Sequence, residues 1–157
     1  MAKARPIPEG FHSVTPYLVV QDAGAAMAFY TRAFGARELM RMPGPDGRIM
    51  HAELQIGDSR VMLSDEMPQM GATSPKTLRG TPVSLFLYVD NVDAVYQSAI
   101  ASGATAKAPV SDMFWGDRWG TLVDPFGHEW QVATHTEDLT PDEMGKRAAA
   151  ALGPAAT

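Results

Sequence analysis

The chain has 157 residues, the size of one ordinary domain with a sizeable core; 45% hydrophobic and 20% charged residues fit a soluble globular protein, not a disordered one. A net charge of −5 and a pI near 5.2 argue against nucleic acid or an anionic membrane as a partner. With no cysteine, disulfides and thiolate chemistry are excluded, and no stretch approaches the roughly 20 apolar residues that span a bilayer, so a cytoplasmic location is the default expectation.

Residues 1–10 read as an N-terminal arm, and residues 14–20, rich in β-branched and aromatic side chains, read as a strand. Ala23, Ala26, Met27, Tyr30 and Phe34 then fall at helical spacing, with Asp22 at the N-cap and Gly35 as a C-terminal stop. Three strands joined by hairpins are predicted over 38–42, 51–56 and 60–64, with turns at Pro43-Gly44-Pro45-Asp46-Gly47 and Gly57-Asp58. After a linker at 68–80 the order returns: a strand over 83–89, a helical stripe of Val92, Val95, Tyr96, Ala99 and Ile100, and strands over 104–108, 119–123 and 129–134. Thr140-Pro141-Asp142-Glu143 is a capping box that opens a short Ala-rich helix in the tail, residues 137–157.

Asp22 and Asp90, Gly35 and Gly103, and Ala36 and Ala104 are each 68 residues apart, so cap, helix and Gly-Ala exit recur without a gap. Such duplication fixes architecture. Each half reads as β-α-β-β-β, giving an α+β fold with module one over 11–67 and module two over 81–136. Together they form a single domain over 11–136.

The stretches Tyr17-Leu18-Val19-Val20-Gln21-Asp22, Phe34-Gly35-Ala36, Tyr88-Val89-Asp90-Asn91-Val92 and Asp124-Pro125-Phe126-Gly127-His128 resemble the vicinal oxygen chelate superfamily of glyoxalases, bleomycin-resistance proteins and extradiol dioxygenases. Met50-His51-Ala52-Glu53 and Gly116-Asp117-Arg118 further resemble its PhnB-like glyoxalase subgroup. The resemblance implies that the mixed sheet of the two modules is cup-shaped and that a second copy covers its exposed strand edges. It also implies metal ligands at four positions on the first and last strands of the modules. Here those positions hold Thr15, Val61, Ser84 and Gln131, with a register error on the second that reaches Leu63. Hydroxyl, amide and apolar groups are poor partners for zinc, nickel or iron, so a metal-free site is expected.

His51 and Glu53 share a strand face, either as a displaced metal or acid–base pair or as a polar outer face, since register decides which side they take. Tyr17, Phe86 and Tyr88 share the parity of Thr15 and Ser84, and so line the cup if the family arrangement holds; otherwise they are core. Trp115 and Arg118 either grip a planar or anionic ligand at the mouth or, through an Asp117–Arg118 ion pair, hold a turn. His128 reads as structural, and His12 and His135 as solvated. The resulting expectation is a homodimeric, metal-free binder of a small organic molecule, of the bleomycin-resistance type. Its ligand contacts are Thr15, Tyr17, Ser84, Phe86, Tyr88, Trp115, Arg118 and Gln131. The rival reading is a glyoxalase-like lyase, isomerase or dioxygenase with a divalent metal on His51 and Glu53.

Overall fold

A computed structural model describes residues 4–153, so the ends of the arm and tail, 1–3 and 154–157, lie outside the described residues. Module one is built from β1 (Tyr17–Val20), α1 (Ala23–Phe34), β2 (Arg37–Pro43), β3 (Ile49–Ile56) and β4 (Ser59–Asp65). A 3-10 turn at Pro68–Met70 and a short helix α2 (Pro75–Leu78) occupy the linker. Module two follows with β5 (Ser84–Tyr88), α3 (Val92–Ala101), β6 (Thr105–Asp112), β7 (Asp117–Val123) and β8 (Glu129–His135), and α4 (Pro141–Leu152) ends the described chain. The strands form two four-stranded mixed sheets, β1-β4-β3-β2 and β5-β8-β7-β6, each parallel at its first pair and antiparallel elsewhere. The predicted doubled β-α-β-β-β architecture is therefore present. Strands β1 and β5 are both sheet edges.

Alternation along the strands sorts the side chains. Leu18, Val20, Ala52, Leu54, Ile56, Val61 and Leu63 of sheet one face α1 and are buried, as are Leu122 and Val132 of sheet two under α3, while Trp130 of sheet two packs on Tyr30 and Phe34 of α1. The modules share one core, because α1 and α3 pack against each other. At their junction Asp124, 2% exposed, accepts hydrogen bonds from Tyr30 Oη (2.6 Å), Trp130 Nε1 (3.0 Å) and the backbone amides of Phe126 and His128. The Tyr30 phenol is held well above its ordinary pKa by burial, and next by the Asp124 charge, so it stays a neutral donor. The Asp-Pro-Phe-Gly hairpin thus welds the modules together. His128 Nε2 adds a contact to the Val19 carbonyl at 3.0 Å, the structural position its sequence context suggests.

Four sequence expectations shift. The strand predicted over 14–20 begins only at Tyr17, because Pro16 has no amide and β1 pairs only with β4, starting at Tyr17–Met62. The repeat has a one-residue step: α3 is capped by Asn91, whose side chain accepts from Ala94 N, and not by Asp90, while α1 is capped by Asp22. Helix α3 is accordingly 10 residues long against 12 for α1. Across β1/β5 and β4/β8 the equivalent positions are consequently 69 apart (86 − 17 and 131 − 62), since Tyr17 pairs with Met62 and Phe86 with Gln131. Strand β6 also runs past Ala108 to Asp112, carrying Pro109 at a register shift on the outer edge of its sheet, where a missing amide costs no ladder bond.

Candidate ligand-binding site

The side of each sheet turned away from its helix carries the remaining polar and aromatic groups. In module one, Tyr17, His51, Glu53, Arg60 and Met62 lie there, with Met40 and Met42 beside them on β2 opposite Glu53 and His51. Strand register thus decides the open question about His51 and Glu53: they share the face of Tyr17. Tyr17 Oη lies 3.2 Å from His51 Nδ1, His51 Nε2 lies 3.4 Å from Glu53 Oε1, and Glu53 Oε2 is 3.4 Å from Arg60 Nη1. Arg60 in turn stacks on the Phe11 ring at 4.6 Å, and the backbone of Gly10 (φ 80°) passes so close that a Cβ there would collide with the guanidinium. The network is a row of polar groups across a rigid sheet, anchored at one end by the chain leading into β1.

In module two the same side carries Ser84, Phe86, Tyr88, Asp117, Trp119, Gln131 and His135. Asp117, 4% exposed, receives hydrogen bonds from Tyr88 Oη (3.0 Å) and Trp115 Nε1 (3.1 Å) and pairs with His135 Nδ1 at 2.8 Å. The imidazole is therefore not simply solvated. Its pKa is raised, chiefly by its hydrogen bond to Asp138 and then by the bond to Asp117. Burial, followed by the contact with Asp117, raises the Tyr88 phenol. Gln131 donates to Ser84 Oγ at 2.7 Å and accepts from Trp119 Nε1 at 3.1 Å.

Thr15, Tyr17, Ser84, Phe86 and Tyr88 all border one cavity of about 1070 Å³ between β1 and β5, with Arg60, Val83 and Leu78 also on its wall. Tyr17, Phe86 and Tyr88 are about half exposed there, at 48%, 45% and 59%, and Phe86 packs on Tyr88 at 4.9 Å. Trp115 reaches this group through Asp117 without lining the cavity; it packs edge-on against Phe114 and Trp119. Gln131 sits one layer behind Ser84.

Arg118 is placed elsewhere. Because neighbours on a strand point to opposite faces, Asp117 turns to the cup and Arg118 to the helix side. There its guanidinium binds both carboxylate oxygens of Asp93 on α3 (2.7 and 2.8 Å) and one of Asp112 (3.1 Å). The expected anion grip at the mouth is instead a clamp between α3 and sheet two, and no Asp117–Arg118 turn pair forms.

The residues at the family's ligand positions do not suit a divalent metal. Val61 is buried on the helix side, and the register equivalent of Gln131 is Met62, so the four positions present Thr15, Met62, Ser84 and Gln131. The amide oxygen of Gln131 is already engaged by Trp119. Both ring nitrogens of His51 have partners, and among the described residues no three His, Asp or Glu side chains converge as a metal site requires.

The model of the Glyoxalase/Bleomycin resistance protein/Dioxygenase superfamily matches residues 10–132. The chain belongs to this superfamily. It is 45% identical over 135 residues to an uncharacterized protein of Mycobacterium bovis, covering 84% of this chain and 89% of that protein. It is 28% identical to protein YjdN of Escherichia coli over 141 residues, 76% of this chain and 92% of the other. Among solved structures, TioX from Micromonospora sp. ML1 superposes with a TM-score of 0.64 at 29% identity, covering 79% of this chain and 98% of TioX. A PhnB protein from Bacillus cereus shares the fold, with a TM-score of 0.62 at 20% identity over 78% of this chain and 99% of that one. Among the described residues no helix is long and apolar enough to cross a membrane.

The sequence did not single out Arg60, Met62, Trp119 or the buried role of Asp117. A signal for Arg60 was available: the tight Gly57-Asp58 hairpin fixes Gln55 opposite Arg60, which puts it on the face of Glu53.

Proposed function

We propose that this superfamily member binds a small organic molecule in an aromatic-lined cup without a metal, and does so as a homodimer. One observation carries the reading: Tyr17, Phe86 and Tyr88 stand half exposed on the wall of a roughly 1070 Å³ cavity, in the size range of sites for drug-sized ligands. Exposed aromatics are costly to leave in water and supply large, rigid contact area to a planar ligand. Thr15 and Ser84 add hydroxyl groups that fix orientation, Gln131 holds Ser84 from behind, and Trp115 buttresses Tyr88 through Asp117. Unpaired edges at β1 and β5 and exposed Met40, Met42 and Met50 support a second copy as the partner that completes the cup.

A thermal-shift screen of planar aromatic molecules tests the reading, since a ligand specific to the folded state raises Tm. Hits should lose their shift in Tyr17→Ala and Phe86→Ala. A screen with no hit sensitive to these two residues contradicts it. The rival, a glyoxalase-like enzyme with a divalent metal, draws on the cup-facing placement of His51 and Glu53. Elemental analysis of untagged protein separates the two: a stoichiometric metal that is lost in His51→Ala supports the rival.

A further inference from the structure

We propose that the five residues after α2, Arg79-Gly80-Thr81-Pro82-Val83, are a strap that swings about Arg79 and closes over the cup once a ligand is bound. This rests on the cup reading above and adds how the site shuts. The strap borders the cavity through Gly80, Thr81, Pro82 and Val83, and Leu78 stands at its root on the same wall. The chain before it is firmly held. The Ser74 amide donates to Glu66 Oε1 at 2.7 Å, and Gln21 Nε2 donates to Thr77 Oγ1 at 3.2 Å. Gly127 of the module-two hairpin lies so close to α2 that a Cβ there would press on Pro75 and Lys76. Beyond α2 this anchoring stops. Among the described residues, every hydrogen bond of residues 79–83 stays within α2 or within the strap. The Arg79 and Gly80 amides donate to the Lys76 and Pro75 carbonyls, and Thr81 Oγ1 bonds the backbone of Val83. None reaches either sheet until β5 begins at Ser84.

The hinge falls where the backbone is strained. Arg79 (φ 61°, ψ 35°) is the only non-glycine residue with a positive φ among the described residues. Left-handed backbone sets the Cβ too close to the following carbonyl oxygen, so glycine usually takes this place at a helix end. A side chain held there beside a cavity keeps energy that a second conformation releases. The driving force for closure is apolar. Leu78 and Val83 are 66% and 64% exposed although both border the cavity. They leave water only when a ligand gives them a surface to cover. Closure returns Arg79 to an ordinary backbone conformation and lays Pro82 and Val83 on the ligand beside Leu78. Segments with few bonds to the body are suited to this, since their opening and closing costs little.

The test uses the full chain with 1-anilinonaphthalene-8-sulfonate, a planar aromatic probe that fluoresces on leaving water. In stopped-flow mixing the observed rate should level off at high probe concentration, because closure follows binding. Arg79→Gly relieves the strain of the open form alone. With folding confirmed by circular dichroism, it should therefore weaken equilibrium binding of the probe by about fivefold to tenfold. A fixed wall keeps the same strain in the free and bound states, so it predicts no change. Unchanged affinity in folded Arg79→Gly overturns the strap and leaves the cup reading intact, and so does an observed rate that climbs linearly without levelling. Probe binding that is insensitive to Tyr17→Ala and Phe86→Ala removes the cup, and the strap with it.

Discussion

Strand β3 of module one places His51 and Glu53 on its cup face, whereas the matching positions of β7 in module two hold Trp119 and Thr121, fixed by the pairing of Glu53 with Met62 and of Thr121 with Gln131. On the opposite face the modules agree: Leu54 and Leu122, and Leu63 and Val132, are fully buried at equivalent places. Packing against a helix constrains volume and polarity, and a one-methylene change there is felt. The cup face is not packed against a helix, so the two copies diverge into a polar row beside methionines in one and a buried carboxylate among aromatics in the other.

The largest effect should come from the contact that holds the two halves together. Asp124→Ala strands the Tyr30 hydroxyl and the Trp130 indole without an acceptor in the core, and should cost about 3 kcal/mol or more in urea denaturation. A cost below about 1 kcal/mol would mean that the modules dock by apolar packing alone. Next, Asp117→Ala removes the common acceptor of Tyr88, Trp115 and His135. It should destabilise by about 1–3 kcal/mol, the range for buried polar groups left unpaired, and should shift tryptophan fluorescence, whereas His51→Ala, at a side chain that is 21% exposed, should cost less. Equal losses would erase the contrast drawn between the cup faces.

Truncating Tyr17, Phe86 or Tyr88 to Ala should weaken a bound aromatic ligand by about 1–3 kcal/mol each, by analogy with interface hot spots, as read by calorimetry. Tyr17→Ala and Phe86→Ala should leave the melting temperature nearly unchanged, while Tyr88→Ala also loosens Asp117.

A smaller effect is expected from pH. His135 has a raised pKa in the folded chain, first from Asp138 and then from Asp117. Its contribution is therefore complete below the unfolded histidine value of about 6.5 and is lost as pH rises through the higher folded value. His135→Asn should flatten the stability profile in that window, and an unchanged profile would count against the pairing. Least of all, Arg118→Ala should lower stability slightly by freeing α3 from sheet two and leave ligand preference untouched. A selective loss of anionic ligands would return Arg118 to the site.

Much of this was legible in residue order. Period-3.6 stripes, Gly35 as a helix stop, the hairpin turns and the 68-residue recurrence fixed two β-α-β-β-β modules, because local hydrogen bonding and apolar periodicity depend on neighbours along the chain. Phe29 and Ala33 joined the buried face of α1 beyond the stripe that spacing picked out, since a helix packed against both a sheet and another helix buries a wider arc. What the chain order left open was side and partner. His51 and Glu53 alternate with Ala52 and Leu54 in any register, and a slip of one residue exchanges the faces; only pairing with β2 and β4 assigns them to Tyr17. Arg118 could not be separated from Asp117 by spacing either, because its partner Asp93 lies 25 residues away and is brought to it only when α3 packs on the sheet.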